Sequence, residues 1–283
     1  MSSSTPPGLT TPLSLTLLPG ARALLAAHAR ELPQRDDLCG AFCGALALRA
    51  AGIDERDGDA LDQDAVAIAA GSVVGAVGDP AHLPHGEGGR RDYRLPIPLI
   101  EDSAVSGTTA RGVRDAVEEL SGGRLAALPY SGPWTGATLA GLFDAAAALE
   151  HPVALVANLA TGHLWGGYPR ADQLLSYLLD GDPDGPPADW QVGHFVCVFG
   201  RLRGPRGSLY GVADTYPALG NGGVHLQPQE RLAAAIERRD MPAGGVIVVA
   251  SAQDAPAVRS SAAALGLIEE LWDNGTVAPE AAR

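Results

Sequence analysis

Hydrophobic and polar positions alternate along the chain with two periods, mainly helical in the first part and mainly strand-like later. Apolar side chains at helical spacing predict helices over 20–30, 38–49, 62–70, 108–120, 136–149, 229–237 and 257–272. Continuous or alternating apolar runs predict strands over 124–130, 152–159, 193–200, 208–215 and 245–250. Because helices come first and antiparallel strands come later, the pattern predicts an α+β fold.

The same pattern divides the chain into one domain and two terminal segments. Residues 1–20 are rich in Ser, Thr and Pro, and they are predicted to form a flexible arm. Residues 21–252 are predicted to form the folded domain, and residues 253–283 a C-terminal helix and tail. The Gly-, Pro- and His-rich stretch 71–89 and the aromatic-rich stretch after residue 159 are predicted to be loops.

The two apolar strands on either side of Gly204 predict a β-hairpin with a definite register. With the turn centred on Gly204, antiparallel pairing places Asp214 opposite His194 on one face of the sheet. A carboxylate beside an imidazole holds the ring in one tautomer and stabilises its protonated form. The alternatives are a strand histidine satisfied by a backbone carbonyl and an aspartate that initiates a turn. Cys197 points to the other face and is predicted to lie in the core.

Composition and charge narrow the possible functions. The chain has 283 residues, with 33 acidic residues against 20 basic ones, and every basic residue is Arg. The formal net charge of −13 argues against nucleic-acid binding, because nucleic-acid-binding proteins need clustered cations. The same charge would disfavour polyanionic substrates and tolerate cationic peptides. The absence of Lys excludes a P-loop nucleotide site and a Schiff base on Lys.

The cysteines and the apolar runs predict a cytoplasmic protein without a membrane partner. Three cysteines are too few, and odd in number, for a disulfide framework, so free thiols are expected. The N-terminus lacks the positive region of a secretory signal, and no apolar run approaches the roughly 20 residues of a membrane span. No cofactor is predicted. His82 and His85 leave a metal site open as an alternative, although no acidic or Cys cluster accompanies them.

Cys39 is the candidate nucleophile. It falls in the first turn of a helix that Asp36 or Asp37 could cap. The unpaired N–H groups and partial positive charge of a helix N-terminus stabilise a thiolate. The alternative is a buried packing role, which is the prediction for Cys43 one turn later. Gln34 could reach back so that its side-chain amide and the Cys39 backbone N–H form an oxyanion hole.

The chain resembles the C39-like branch of the papain-like cysteine peptidases in three segments. These are the run from Gln34 to Gly40 before an Ala- and Leu-rich helix, Gly-His-Phe-Val from Gly193, and Val-Ala-Asp-Thr-Tyr-Pro from Val212. The resemblance covers about residues 30–250 and implies a nucleophile helix packed on a mainly antiparallel sheet. It also implies catalytic roles for four residues, which are Gln34, Cys39, His194 and Asp214.

The chain departs from that family at two places in the motifs. Cys39 follows Gln34 after five residues, one fewer than the family's usual spacing, and two residues separate Asp214 from Pro217. The shorter spacing favours an alternative in which the protein is a non-catalytic papain-like fold that binds a peptide.

The predicted function is thiol-dependent acyl transfer, with a small peptide or peptide-like natural product as the favoured substrate. Discharge to water would make the protein a cysteine peptidase or amidase, and discharge to an amine or thiol would make it an acyl- or aminoacyltransferase. His163 is placed in the cleft wall rather than as the base, because no carboxylate is evident beside it. The residues predicted to line the cleft are Tyr130, Trp134, His163 and Trp165. The oligomeric state stays open.

Overall fold

A computed structural model describes residues 13–188 and 190–277 of the chain. Within these ranges there are eight α-helices: α1 (Ala21–Glu31), α2 (Cys39–Ala50), α3 (Gln63–Ala69), α4 (Ala110–Leu120), α5 (Gly136–Ala147), α6 (Ala171–Asp180), α7 (Gln229–Glu237) and α8 (Ala255–Ala264). The strands there are β1 (Ser14–Leu17), β2 (Glu55–Arg56), β3 (Asp59–Ala60), β4 (Val74–Gly75), β5 (Leu99–Ile100), β6 (Leu125–Ser131), β7 (Ala154–Ala160), β8 (Gly193–Arg203), β9 (Ser208–Ala213), β10 (Val224–Pro228), β11 (Gly245–Ser251) and β12 (Ile268–Glu269). None of the helices in these ranges is long and apolar enough to cross a membrane.

Eight strands form one antiparallel sheet. Its order is β10-β9-β8-β7-β11-β6-β12, and β1 pairs with the second half of β8. Two small ladders lie apart from it, an antiparallel one between β2 and β3 and a parallel one between β4 and β5. The prediction of an α+β fold with a mainly antiparallel sheet is therefore confirmed.

Helices cover both faces of this sheet, which explains why β7 is buried along its whole length and apolar at every position except Asn158. One face carries α1 to α4, and Phe195 and Cys197 of β8 point into the core on that side. The other face carries α5, α7 and α8, and Val196 and Val198 point into the core there. The alternation of side chains along β8 agrees with the predicted faces. The predicted packing of the Cys39 helix on the sheet is also seen, since α2 contacts β7 and β8.

The predicted hairpin forms, but its register was wrong. The strands extend closer to the turn than predicted, because Arg203 pairs with Ser208. A β-bulge between Val198 and Gly200 then shifts the pairing by one residue. Beyond the bulge Cys197 pairs with Ala213, two positions from the predicted register. A shift of two residues returns each side chain to the same face, so Asp214 still lies on the His194 side of the sheet.

Each predicted terminal segment contributes a strand to the main sheet. Most of the arm predicted over 1–20 lies outside the described residues, but Ser14–Leu17 forms an edge strand on β8. The helix predicted to reach Trp272 ends at Ala264, and the chain after it forms β12 against β6. Gly266 has a φ of 75°, which turns the chain out of the helix.

The stretch predicted as a loop after residue 159 contains a helix that the sequence analysis missed. Helix α6 ends at Gly181, which has a φ of 79°. Tyr177 and Leu178 of α6 pack with Trp165 and with Leu209 of β9 in a small separate cluster. The surrounding Pro and Gly residues obscured this helical pattern.

Candidate active site

Cys39 is the first residue of α2, as predicted, but no side chain caps this helix. The N-cap is Leu38, and the capping role predicted for Asp36 or Asp37 was wrong. Asp36 instead accepts a hydrogen bond from the Arg90 backbone N–H, and Asp37 accepts one from Gly75. Both carboxylates are therefore committed to the loop that covers the helix, and the positive end of the helix is left to Cys39.

His194 and Asp214 form a buried pair where β8 begins and β9 ends, and His194 lines the same cleft as Cys39. Nε2 of His194 lies 3.0 Å from Oδ1 of Asp214, and the two residues are only 2% and 1% exposed. The Thr215 backbone N–H also donates to Oδ1, at 2.7 Å. The pair predicted from the hairpin is thus present, and these hydrogen bonds hold the carboxylate in one orientation.

The His194–Asp214 pair is ionised at neutral pH. Burial lowers the pKa of His194, but the charge of Asp214 and hydrogen bonds with Asp214 and the Cys39 thiol outweigh burial and raise it to about 10. Burial raises the pKa of Asp214, yet the charge of His194 and hydrogen bonds from His194 and His225 hold that pKa well below its usual range. The imidazolium and the carboxylate therefore stabilise each other inside the protein.

Cys39 and His194 line the same cleft, and Cys39 contributes to the raised pKa of His194. Because Nε2 of the ring faces Asp214, Nδ1 is the nitrogen left for the sulfur. A cysteine at a helix N-terminus, an imidazole and an orienting carboxylate are the parts needed to activate a thiol nucleophile.

Two aromatic side chains cover the His194 ring. The ring centroid of Trp190 lies 4.9 Å from that of His194 at an interplanar angle of 66°. Tyr216 stacks on His194 at 6.0 Å, with an angle of 17°, and contacts Trp190. These aromatic rings keep water away from the ion pair, which strengthens its electrostatic attraction. The sequence analysis assigned neither residue to the site.

Two further histidines hold Asp214 and were not predicted from the sequence. Nε2 of His225 lies 3.2 Å from Oδ2 of Asp214, and Nδ1 of His225 accepts a hydrogen bond from Gln227. His225 is thus in the neutral tautomer that carries its proton on Nε2. His28 donates to the backbone carbonyl of Asp214 at 2.5 Å, and burial lowers the pKa of His28. Asp214 therefore faces one charged histidine and two neutral ones.

Gln34 lies in the cleft with Cys39, and it is held by two neighbours of the triad. Its Nε2 donates to the Tyr216 hydroxyl at 2.8 Å, and its Oε1 accepts from the Thr215 hydroxyl. One N–H of the amide is left over. The Cys39 backbone N–H makes no hydrogen bond to the residues described here. Two donors of the kind needed for an oxyanion hole therefore lie at this site.

A cleft of about 610 Å³ opens over Cys39 and His194. Trp190, Gly193 and Arg238 line it on one side, and Asp37 with His82 lines it elsewhere. Nδ1 of His82 lies 3.6 Å from Oδ1 of Asp37, so His82 pairs with a carboxylate. In residues 13–188 and 190–277 no three His, Cys, Asp or Glu side chains converge as a metal site requires.

The prediction of the cleft wall was wrong, because none of its four residues lines this cleft. Tyr130 is fully buried in the core, and Trp134 packs in the same apolar cluster. Trp165 lies against Tyr177 of α6. His163 has the carboxylate partner that the sequence did not show, since Nε2 lies 2.9 Å from Oδ1 of Asp240.

The other two cysteines are packing residues, as predicted. Cys43 and Cys197 are buried in the core between α2 and the sheet, whereas Cys39 is partly exposed. Burial raises the pKa of Cys43 well above the usual value of a thiol. Cys39 is therefore the cysteine placed for chemistry.

The fold and the site define a mixed α+β protein in which a cysteine that begins a helix lies in one cleft with a buried histidine–aspartate pair at the ends of two adjacent antiparallel strands. The chain belongs to a family of unknown function, DUF6885, which matches residues 18–273. No curated protein and no solved structure matches it. The matched range contains Gln34, Cys39, His194 and Asp214.

Proposed function

We propose that this protein is a thiol-dependent acyl-transfer enzyme, namely a cysteine peptidase or amidase that acts on a small peptide or peptide-like molecule. The observation that carries the proposal is the buried His194–Asp214 ion pair beside a cysteine at an uncapped helix N-terminus. The pair lies at the base of a cleft large enough for a small ligand. A purely structural role would not need an ionised pair next to a partly exposed thiol.

The proposed reaction has two halves. Cys39 reacts as the thiolate beside the protonated His194, and its sulfur forms a bond to the carbonyl carbon of an amide while the carbonyl π electrons move to the oxygen. The oxyanion accepts hydrogen bonds from the Cys39 N–H and the free N–H of Gln34. His194 then protonates the leaving amine from Nδ1 as the C–N bond breaks, which leaves a thioester on Cys39 and a neutral His194. Water gives a proton to His194 and attacks the thioester, and the C–S bond breaks to release the acid and restore the thiolate beside a protonated His194.

We propose further that the fold is papain-like and closest to the C39-like branch. What supports this is the chain order of the parts: Gln34, then Cys39 starting a helix, then His194 at the start of a strand, and Asp214 just after the next strand. Trp190 covers the histidine of the His194–Asp214 pair, which also fits a cysteine peptidase of this kind.

Alkylation kinetics test the proposed nucleophile. Wild-type protein is treated with iodoacetamide at about pH 6, and the labelled cysteine is located by peptide mapping. We expect Cys39 to react at least about tenfold faster than a free thiol at this pH, because its thiolate is stabilised. His194→Ala should remove that advantage, and Cys43 serves as the internal control.

A rate at Cys39 that matches a free thiol, or one that His194→Ala does not change, would overturn the proposal. Intact mass spectrometry then separates the two outcomes of acyl transfer. An acyl adduct on Cys39 formed from a peptide thioester is discharged by water in a hydrolase and needs an added amine in a transferase.

A further inference from the structure

A buried arginine lies in the cleft next to the candidate nucleophile. Arg238 lines the cleft together with Cys39 and His194, and it is only 2% exposed. Burial lowers the pKa of Arg238, because a cation is costly to hold away from water. Buried cations are normally paired with carboxylates, so the partners of this arginine indicate its role.

The protein satisfies only part of the Arg238 guanidinium. Nη1 donates to Oδ1 of Asn158 at 2.5 Å. Nε is buried and has no hydrogen-bond partner among the described residues. No salt bridge joins Arg238 to an acidic side chain in those ranges. The charges that act on it are that of Cys39 and then that of Asp240, and Asp240 is hydrogen-bonded to His163. The arginine therefore lies in the cleft without a carboxylate partner among the described residues.

Only one part of the guanidinium is left for a ligand. Nη1 is committed to Asn158 and Nε is enclosed by protein, whereas Nη2 makes no hydrogen bond to the described residues. The N–H groups of Nη2 and the positive charge suit a carboxylate oxygen, which forms a short charge-assisted hydrogen bond with a guanidinium. An ammonium group offers no acceptor, and an alcohol or an amide oxygen brings no charge to balance the cation.

The backbone at Arg238 is strained, and two glycines make room for its side chain. Arg238 follows α7 with a φ of 47° and a ψ of 53°, a left-handed conformation that is unfavourable for a residue with a Cβ. Glycine is the usual residue there. A Cβ on Gly193 would lie 2.7 Å from Nη2, and one on Gly244 would lie 2.5 Å from Cδ of Arg238. A strained residue retained in a cleft points to function.

We propose that Arg238 binds a carboxylate of the substrate through Nη2. The term substrate rests on the proposed function, but the carboxylate site itself does not. The favoured substrate is then an amide, peptide or thioester that carries a free carboxylate close to the bond that is broken. The local charge of Arg238 opposes the preference for cationic peptides predicted from the net charge.

Paired alkylating reagents test this site without knowledge of the natural substrate. Iodoacetate and 3-iodopropionate carry a carboxylate, and their amides are neutral reagents of the same shape. The readout is the rate of Cys39 alkylation by the acid divided by the rate by its amide. The fraction of Cys39 present as thiolate enters both rates and therefore cancels in this ratio. We expect the Arg238→Gln substitution to lower this ratio at least about tenfold, the effect of losing a charge-assisted hydrogen bond. Arg238→Lys should recover only part of it, because Lys keeps the charge but lacks the planar guanidinium that places Nη2.

Arg239→Gln is the matched control, since it removes the same charge one residue away, on a side chain that is 86% exposed. If it lowers the ratio as much as Arg238→Gln does, the effect is general electrostatics and the proposal fails. An unchanged ratio in Arg238→Gln defeats it equally.

A binding measurement makes the result independent of thiol reactivity and of the variants' folding. N-acetylglycine should raise the melting temperature of wild-type protein and protect Cys39 from iodoacetamide, whereas N-acetylglycinamide should do neither. Stronger protection of Cys39 by inorganic phosphate would show a phosphate-binding site and would overturn the proposal that the ligand is a carboxylate. Loss of Cys39 reactivity with retained N-acetylglycine binding would defeat only the proposed function, and a reactive Cys39 without such binding would defeat only this inference.

Discussion

Asp214 is the residue on which the geometry of the site depends. One carboxylate oxygen accepts from His194 and from the Thr215 backbone, and the other accepts from His225. Because His225 is neutral, a single positive charge, that of His194, balances the carboxylate. This arrangement fixes the ring of His194 through Nε2 and directs Nδ1 toward Cys39, as activation of a thiol requires.

Titration of His194 gives a stability prediction with a definite sign. The folded chain keeps a proton on His194 up to about pH 10, whereas the unfolded chain loses it near the ordinary value of 6.5. The stabilisation is therefore fully present below pH 6.5 and is lost as the pH rises toward 10. We expect the difference in free energy of unfolding between wild type and His194→Gln to shrink over this window.

Urea unfolding of both proteins from about pH 6 to about pH 10 measures that difference. The free energy of unfolding of the variant reports how the other groups titrate. Subtracting it from the wild-type value leaves the contribution of His194. A difference that stays constant or grows with pH would contradict the assignment of the proton to His194.

Residues with local sequence signals could be predicted, and residues brought in by distant segments could not. Cys39 was found from helical spacing, and the His194–Asp214 pair survived an incorrect register because the error was even. Trp190 precedes β8 in an irregular segment, and Arg238 ends a helix far along the chain. Neither position has a periodicity that marks it. The predicted wall residues failed because an aromatic side chain in a loop fits the core equally well.

At the scale of elements, the site depends on how closely the first turn of α2 approaches the sheet. A Cβ on Gly40 would lie 2.9 Å from Cβ of Thr108 and 3.2 Å from the ring of Phe195 on β8. Glycine after Cys39 is therefore required by packing. It lets the helix N-terminus come near enough to β8 for the thiol to meet His194.

Gly40→Ala tests that close approach. Helix propensity alone predicts a gain of about 1 kcal/mol from this change. We expect instead a loss of about 1–3 kcal/mol from overpacking, together with slower alkylation of Cys39. Urea unfolding and iodoacetamide labelling measure the two effects.

Gly44→Ala, one turn further along α2, is the comparison variant. Its Cβ would meet a side-chain methyl of Val66 on α3 at 2.9 Å and would leave the first turn in place. We expect a loss of stability with unchanged Cys39 labelling. Equal labelling in both glycine variants would show that the first turn does not control the thiol.

At the scale of the whole molecule, the C-terminal segment ties the two sides of the sheet to the cleft. After α8 packs on one face, the chain adds β12 at the sheet edge and buries Trp272 in the core on the other face. Nε1 of Trp272 donates to Oδ1 of Asn158, the same oxygen that accepts from Arg238. The segment from Asn274 to Thr276 then lines the cleft. We therefore expect residues 253–277 to unfold together with the sheet as one cooperative unit.

Substitution of Trp272 tests whether the segment is part of that unit. We expect Trp272→Ala to lower the free energy of unfolding by about 3–5 kcal/mol, because a large side chain leaves the core. Trp272→Phe keeps most of the packing and removes the hydrogen bond to Asn158, so its cost beyond lost packing should be only about 0.5–1.5 kcal/mol.

Both proteins should unfold in a single transition when tryptophan fluorescence and far-UV circular dichroism are compared in urea. A first transition that releases the C-terminal segment while the sheet stays folded, or a loss below about 1 kcal/mol in Trp272→Ala, would show that residues after 252 form a separate unit.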